Sequence, residues 1–264
     1  MGSDYRYLFI GGLHRSGTSL VARLAAALPG VAGIENAPVP ENEGTYLQGA
    51  IPHDALSGAP MQFATDPAQH LTEDHPLNRL ETRTRLEADW APWFAPAPWR
   101  VEKSPVNLTR MRLLQQLFPL SQFVVVIRHP EAVAAAVAKW VEAPAPALLD
   151  HWLDAHERVA QDMARLHSLL VLRYEDVIAD PRATSSALAA FLDRPGPVPP
   201  FTEVLRDGNA EYPDAQRLSQ AQGARAATWG YLPGMGLAAD WPAPLSHPLR
   251  TIREATRAAL SGRS

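Results

Sequence analysis

Tyr7-Leu-Phe-Ile-Gly-Gly-Leu-His-Arg-Ser-Gly-Thr-Ser-Leu20 decides the reading of this chain. Leu8, Phe9 and Ile10 are a short apolar run of buried-strand type. Gly11, Gly12 and Gly17 permit tight turns and close approach of backbone to a ligand. The apolar segment Leu20–Leu28 then predicts a helix opening near Ser16. Its free amides and dipole suit an anion, and Arg15 adds a planar, permanently charged fork. Gly12-x4-Gly17-Thr18-Ser19 has the glycine spacing of a Walker A loop, with Thr18 in the place of its lysine. That lysine reaches the β- and γ-phosphates of a nucleoside triphosphate. The loop therefore suits a phosphate-like group other than a triphosphate.

From this corner outward, strands alternate with helices. Trp99-Arg-Val-Glu-Lys-Ser-Pro105 predicts a strand ending in a turn, and Leu108–Phe118 a helix with apolar residues at spacing three. Phe123-Val-Val-Val-Ile127 is wholly apolar and mostly β-branched, as a central parallel strand requires. Pro130 suits the first turn of a helix running to Val141. A long helix is expected over Ala147–His167, a buried strand at Leu169–Tyr174, a helix from Pro181 to Leu192 and a last one over Pro248–Leu260. This alternation predicts an α/β protein, a three-layer parallel sheet with helices on both faces. Ligands in such folds bind at the carboxyl ends of the strands. Arg15, Lys103, Arg128 and Tyr174 each follow a different strand and are expected to converge there.

The 264 residues suffice for one domain over 1–264 with a substantial core. The stretch from about 35 to 100 lacks strong periodicity, apart from a short helix expected near Leu77–Trp93, and reads as an acceptor-binding or lid region. The net charge of −4 gives no support to a nucleic-acid partner. There is no cysteine, which excludes disulfides and thiolate chemistry. No long uncharged apolar run predicts a membrane span, and a cytoplasmic enzyme is expected. His53, His70 and His75 are too widely spread for a metal-ligand pattern, so no metal is expected.

A P-loop NTPase needs an apolar strand ending in aspartate to help hold magnesium, whereas Phe123–Ile127 runs into Arg128. Two anion-binding corners in one sheet imply a ligand with two separated anionic groups. With these residues in view, the chain resembles the sulfotransferases that use 3′-phosphoadenosine 5′-phosphosulfate (PAPS), in particular their bacterial and Golgi members, with their P-loop NTPase-like fold. His14-Arg-Ser-Gly-Thr-Ser-Leu20 is similar to their 5′-phosphosulfate loop. Phe123–Val133 resembles their 3′-phosphate segment, Glu102-Lys-Ser-Pro105 a Glu-Lys-Ser/Thr-Pro element and Leu172-Arg-Tyr-Glu-Asp176 a Tyr-Glu-Asp segment. The resemblance runs over about residues 5–193.

The resemblance implies roles. His14, Arg15 and the stretch Ser16, Gly17, Thr18, Ser19 and Leu20 would hold the 5′-phosphosulfate, with Arg15 steadying charge on the leaving phosphate. Arg128 would bind the 3′-phosphate, with Tyr174 facing the nucleotide. The family serine eight residues after that arginine is Ala136 here. His129, Arg217 or Arg225 would have to replace it. Sulfuryl transfer from PAPS to a hydroxyl or amine would proceed in line, releasing adenosine 3′,5′-bisphosphate (PAP). It requires a base for the acceptor proton and stabilisation of the leaving group. The Lys-x-His-x-Pro base of the aryl and steroid enzymes is lacking at Lys103-Ser-Pro105, so a glutamate is expected instead. Glu41 and Glu43 lie in Pro40-Glu-Asn-Glu-Gly44, which resembles a bacterial signature. Glu35 stands where protein-tyrosine members place theirs. Lys103 is expected at the sulfuryl oxygens or the acceptor. The acceptor would be a small molecule, carbohydrate or lipid. A tyrosylprotein-type enzyme, a P-loop small-molecule kinase using ATP and an inactive nucleotide-binding module are the alternatives, and the oligomeric state stays open.

Overall fold

The structure, a computed structural model, describes residues 5–53, 63–194, 196–203 and 205–262; part of the expected lid region thus lies outside the described residues. Along the chain run β1 (Arg6–Gly11), α1 (Thr18–Ala26), β2 (Val31–Gly33), α2 (Leu80–Trp90), β3 (Trp99–Lys103), α3 (Met111–Leu117), β4 (Gln122–Ile127), α4 (Pro130–Val137), α5 (Ala145–Met163), β5 (Leu169–Arg173), α6 (Tyr174–Ala179), α7 (Pro181–Phe191), α8 (Gln220–Ala226), β6 (Tyr231–Leu232), β7 (Gly236–Leu237), β8 (Leu245–Ser246) and α9 (Arg250–Leu260).

β1 is central because both its faces are apolar. It pairs in parallel with β3 (Leu8 opposite Val101) and with β4 (Phe9 opposite Phe123). The sheet order is β2-β3-β1-β4-β5-β8, parallel but for β8, which runs antiparallel at the edge. Side chains alternate across the pleat. Tyr7, Phe9, Phe123 and Val125 join one core with Leu86 and Trp90 of α2, Leu114 of α3 and Trp152 of α5. Leu8, Ile10, Val124 and Val126 join the other with Val21 and Leu24 of α1 and Leu188 and Phe191 of α7. Tyr7, Phe9 and Phe123 stack in sequence, with ring centroids 5.3 and 5.8 Å apart. Helices therefore cover both faces, as the alternation predicts.

The chain builds β2 and β3 on one side of β1, then β4 and β5 on the other. The carboxyl end of β1 thus lies where the strand order reverses, the place where such sheets open a crevice. Several helix bounds differ from the sequence reading. Leu77 and Asn78 stay outside α2, since His75 Nδ1 accepts the Leu77 amide and Asn78 Nδ2 donates to the Glu73 carbonyl. A 3₁₀ turn at Pro105–Thr109 precedes α3, and α4 stops at Val137. Among the described residues no helix is long and apolar enough to cross a membrane.

Candidate active site

The loop between β1 and α1 is shaped by contacts that leave no room for side chains. A Cβ on Gly12 would lie 2.4 Å from the Val126 carbonyl oxygen. Gly17 has φ +93°, and a Cβ there would strike the Tyr174 ring at 2.7 Å. Arg15 also has positive φ, 67°. Its carbonyl accepts a bond from Arg128 Nη1 at 2.9 Å, which holds the loop in this turn. Among the described residues no side chain caps α1, so its first amides remain open to a ligand. Ser16 is buried, and its Oγ has no partner among the described residues. Thr18 is buried by Gly12, whereas Ser19 Oγ donates to Glu41 Oε2 at 3.1 Å. Leu20 is buried in the core. The Arg15 guanidinium is exposed, with Cζ 5.5 Å from the Trp140 ring centroid. His14 is pushed down to about 4 by burial, aided by Lys103 and His151, so its imidazole is neutral.

A second cationic corner follows β4. Arg128 is 6% exposed. Its Nε donates to Asn209 Oδ1 at 2.7 Å, its Cζ stands 4.6 Å from the Tyr174 ring centroid, and Nη2 is buried with no partner among the described residues. The Tyr174 hydroxyl donates to the Arg206 carbonyl and accepts the Gly208 amide, both at 3.2 Å. Arg15, Arg128 and Tyr174 thus meet around one loop, as the topology suggests. Ala136 is buried beneath Tyr212. His129 cannot stand in for a serine there. Its Nε2 donates to the Leu232 carbonyl at 3.0 Å, its Nδ1 accepts the Glu131 amide, and burial holds its pKa down. Arg225 is bound to Asp154 and Glu157 of α5.

The third part follows β3. Lys103 Nζ lies 3.1 Å from Glu43 Oε1, with both groups buried. Burial pushes the Glu43 carboxyl up, against the pull of Lys103. Beneath this pair, Glu102 accepts Ser104 Oγ and Asn107 Nδ2, each at 2.5 Å. Ser104 Oγ in turn accepts the Thr45 amide at 3.0 Å. A Cβ on Gly44 would meet Glu102 Oε1 at 2.6 Å, so glycine is required where the Glu41–Glu43 loop crosses β3. Trp90 Nε1 fixes the same loop by donating to the Gly44 carbonyl at 2.9 Å. Burial raises the Glu102 carboxyl, its hydrogen bonds opposing. Between α1 and this loop opens a cleft of about 530 Å³, lined by Ser19, Arg23, Glu35, Glu41 and Lys103 above an apolar floor of Ile34 and Val101. Glu35 and Glu41 reach it from the solvent side, while Glu43 stays behind Lys103.

A model of the sulfotransferase family matches residues 8–198, most of the chain. The chain belongs to the sulfotransferase family. The match spans the loop, Lys103, Arg128 and Tyr174 of this sulfotransferase and ends before Asn209. Among solved structures, the sulfotransferase is similar to the sulfotransferase domain of the curacin biosynthetic pathway, with 20% identity over 73% of this chain and 75% of that one and a TM-score of 0.45. It is also similar to sulfotransferase STF1 of Mycobacterium tuberculosis H37Rv (18%, covering 78% and 70%, TM-score 0.47) and to STF9 of Mycobacterium avium (13%, covering 86% and 68%, TM-score 0.49). No curated protein matches it. Asn209, with Glu175 and Glu131 as buried acceptors, is what reading the sulfotransferase sequence missed. The hydrogen bonds of these side chains span 34 to 104 positions and leave no local pattern.

Proposed function

We propose that this sulfotransferase moves the sulfuryl group of PAPS to a hydroxyl, or an amine, of a small-molecule, carbohydrate or lipid acceptor, releasing PAP without a metal. One observation carries the reading. A lysine-free phosphate loop and a buried arginine with a nitrogen unpartnered among the described residues lie together at the carboxyl ends of the adjacent strands β1 and β4, which suits a nucleotide with two separated anionic groups. His14, Arg15 and Ser16 to Leu20 hold the 5′-phosphosulfate, Arg128 the 3′-phosphate, and Tyr174 faces the nucleotide. The acceptor enters the cleft between α1 and the Glu41 loop, with Glu35, Glu41 and Asn42 on its far side. The acceptor oxygen attacks sulfur, and the bond from sulfur to the bridging phosphate oxygen breaks. PAP departs with the electron pair, and Glu41 takes the acceptor proton. Lys103 and Arg15 stabilise the charge that develops on the sulfuryl and bridging oxygens. Glu43 holds Lys103 in place. The reaction fits a cytoplasmic enzyme.

Calorimetric titration with PAP, and separately with ATP and magnesium, tests the donor. PAP binding without metal is expected; a preference for ATP with magnesium would replace this reading with the kinase. Glu35 lines the same cleft, which favours one second reading, a tyrosylprotein-type enzyme with Glu35 as base. Glu41→Gln is expected to lower turnover and spare PAP binding. If Glu35→Gln or Glu43→Gln alone does so, that glutamate is the base.

A further inference from the structure

Arg128 is nine-tenths buried, and its guanidinium carries five N–H donors and no acceptor. Nε and Nη1 are satisfied by Asn209 and the Arg15 carbonyl, which leaves Nη2 buried and facing Gly208, where an added Cβ would stand 2.9 Å away. A buried cationic donor without an acceptor is costly unless a ligand supplies one. The orientation of this fork is set by Asn209. Its Oδ1 accepts from Arg128 at 2.7 Å, and its Nδ2 donates to Glu175 Oε1 at 2.8 Å. A neutral side chain that both accepts and donates is needed between a cation and a carboxylate, and the Asn209 amide does both. Aspartate would face Glu175 with like charge, and alanine would free the Arg128 Nε. Glu175, itself buried, also accepts the His129 backbone amide and the Tyr231 hydroxyl, both at 3.0 Å. The end of β4, the Gly208–Glu211 turn and β6 are thus tied to one carboxylate.

We propose that Asn209 and Glu175 are positioning residues for the donor: they fix the orientation of the Arg128 guanidinium beside the Gly208 turn and thereby set the preference for a nucleotide bearing a 3′-phosphate. This rests on the donor reading above. The test is calorimetric titration of PAP and of AMP, which lacks the 3′-phosphate, into the wild type, Asn209→Ala, Arg128→Lys and the double variant. The wild type is expected to favour PAP. Asn209→Ala is expected to cut the PAP-to-AMP affinity ratio about tenfold, with AMP binding unchanged. In the Arg128→Lys background, Asn209→Ala is expected to have no further effect on the ratio, because Asn209 acts through Arg128. Glu175→Gln is expected to lower the ratio in the same direction. A turn that merely holds the fold would weaken PAP and AMP alike, and that outcome overturns the inference. So does an unchanged ratio in Asn209→Ala, or an equal loss in both backgrounds. Equal affinity for PAP and AMP in the wild type would instead sink the donor reading, and this inference with it.

Discussion

Lys103 and Arg15 are both cations of the candidate site, yet they relate to stability in opposite ways. Lys103 is buried against Glu43, whose carboxyl is already raised by burial. Lys103→Met would leave that carboxylate unpaired, and removing one partner of a buried pair costs about 3–5 kcal/mol. The variant is expected to lose stability on that scale in urea unfolding, with Glu43 taking up a proton at higher pH. Lys103→Arg is expected to retain most of the stability. Arg15 is exposed, and its guanidinium touches only the face of Trp140 among the described contacts. Arg15→Ala should change stability by no more than about 0.5 kcal/mol while turnover with PAPS falls roughly 10²- to 10³-fold. Near-normal turnover in Arg15→Ala would remove this residue from the chemistry.

Among the elements, the β1–α1 loop is the most constrained. Gly17→Ala would place a Cβ both at φ +93° and 2.7 Å from the Tyr174 ring. A strained residue of this kind costs about 1–3 kcal/mol, and the displaced Tyr174 would disturb the partner of Arg128. The variant is expected to lower both the unfolding midpoint and PAP affinity; full PAP affinity would mean that the loop tolerates a different path. This loop was legible in the sequence because its glycines, hydroxyls and arginine are adjacent, and β1 and β4 were legible because strands buried on both faces are continuous apolar runs. Pro130 and Pro181 marked true helix starts, since proline fits the first turn, where no intrahelical N–H hydrogen bond is lost. β2 and β8 have three and two residues, too few to show a period, and the antiparallel direction of β8 has no local signal. Glu43 was visible as a candidate base, but its burial against Lys103 follows from the 60-residue separation that the fold closes. Asn209 lay in an unremarkable turn, and its partnership with Arg128 exists only once β4 and that turn are adjacent.

At the scale of the whole molecule, burial of imidazoles couples folding to pH. Burial lowers His14 and His151 to about 4 and His156 to about 3, from an ordinary 6.5. The His156 ring lies tilted against Trp152, with ring centroids 3.8 Å apart, and donates from Nδ1 to the Trp152 carbonyl, with Nε2 buried and without a partner among the described residues. Because the folded pKa lies below the unfolded one, the unfolded chain binds more protons between those values, and stability rises with pH there. The contribution is complete above about pH 6.5 and is lost as pH falls toward 3. Glu43 and Glu102 act in the opposite sense. Their folded pKa values are raised by burial, so their contribution is present at acid pH and is lost as pH rises through the folded value. A comparison between wild type and His156→Leu cancels the carboxyls and isolates one imidazole. At about 1.4 kcal/mol per unit, the stability of the wild type relative to the variant is expected to fall by about 2 kcal/mol between pH 7 and pH 5. Urea unfolding of both proteins at a series of pH values reads this directly. A gap that stays constant with pH would show that His156 takes up its proton in the folded protein over the same pH range as in the unfolded chain, and that the core between α5 and the C-terminal strands admits water to it.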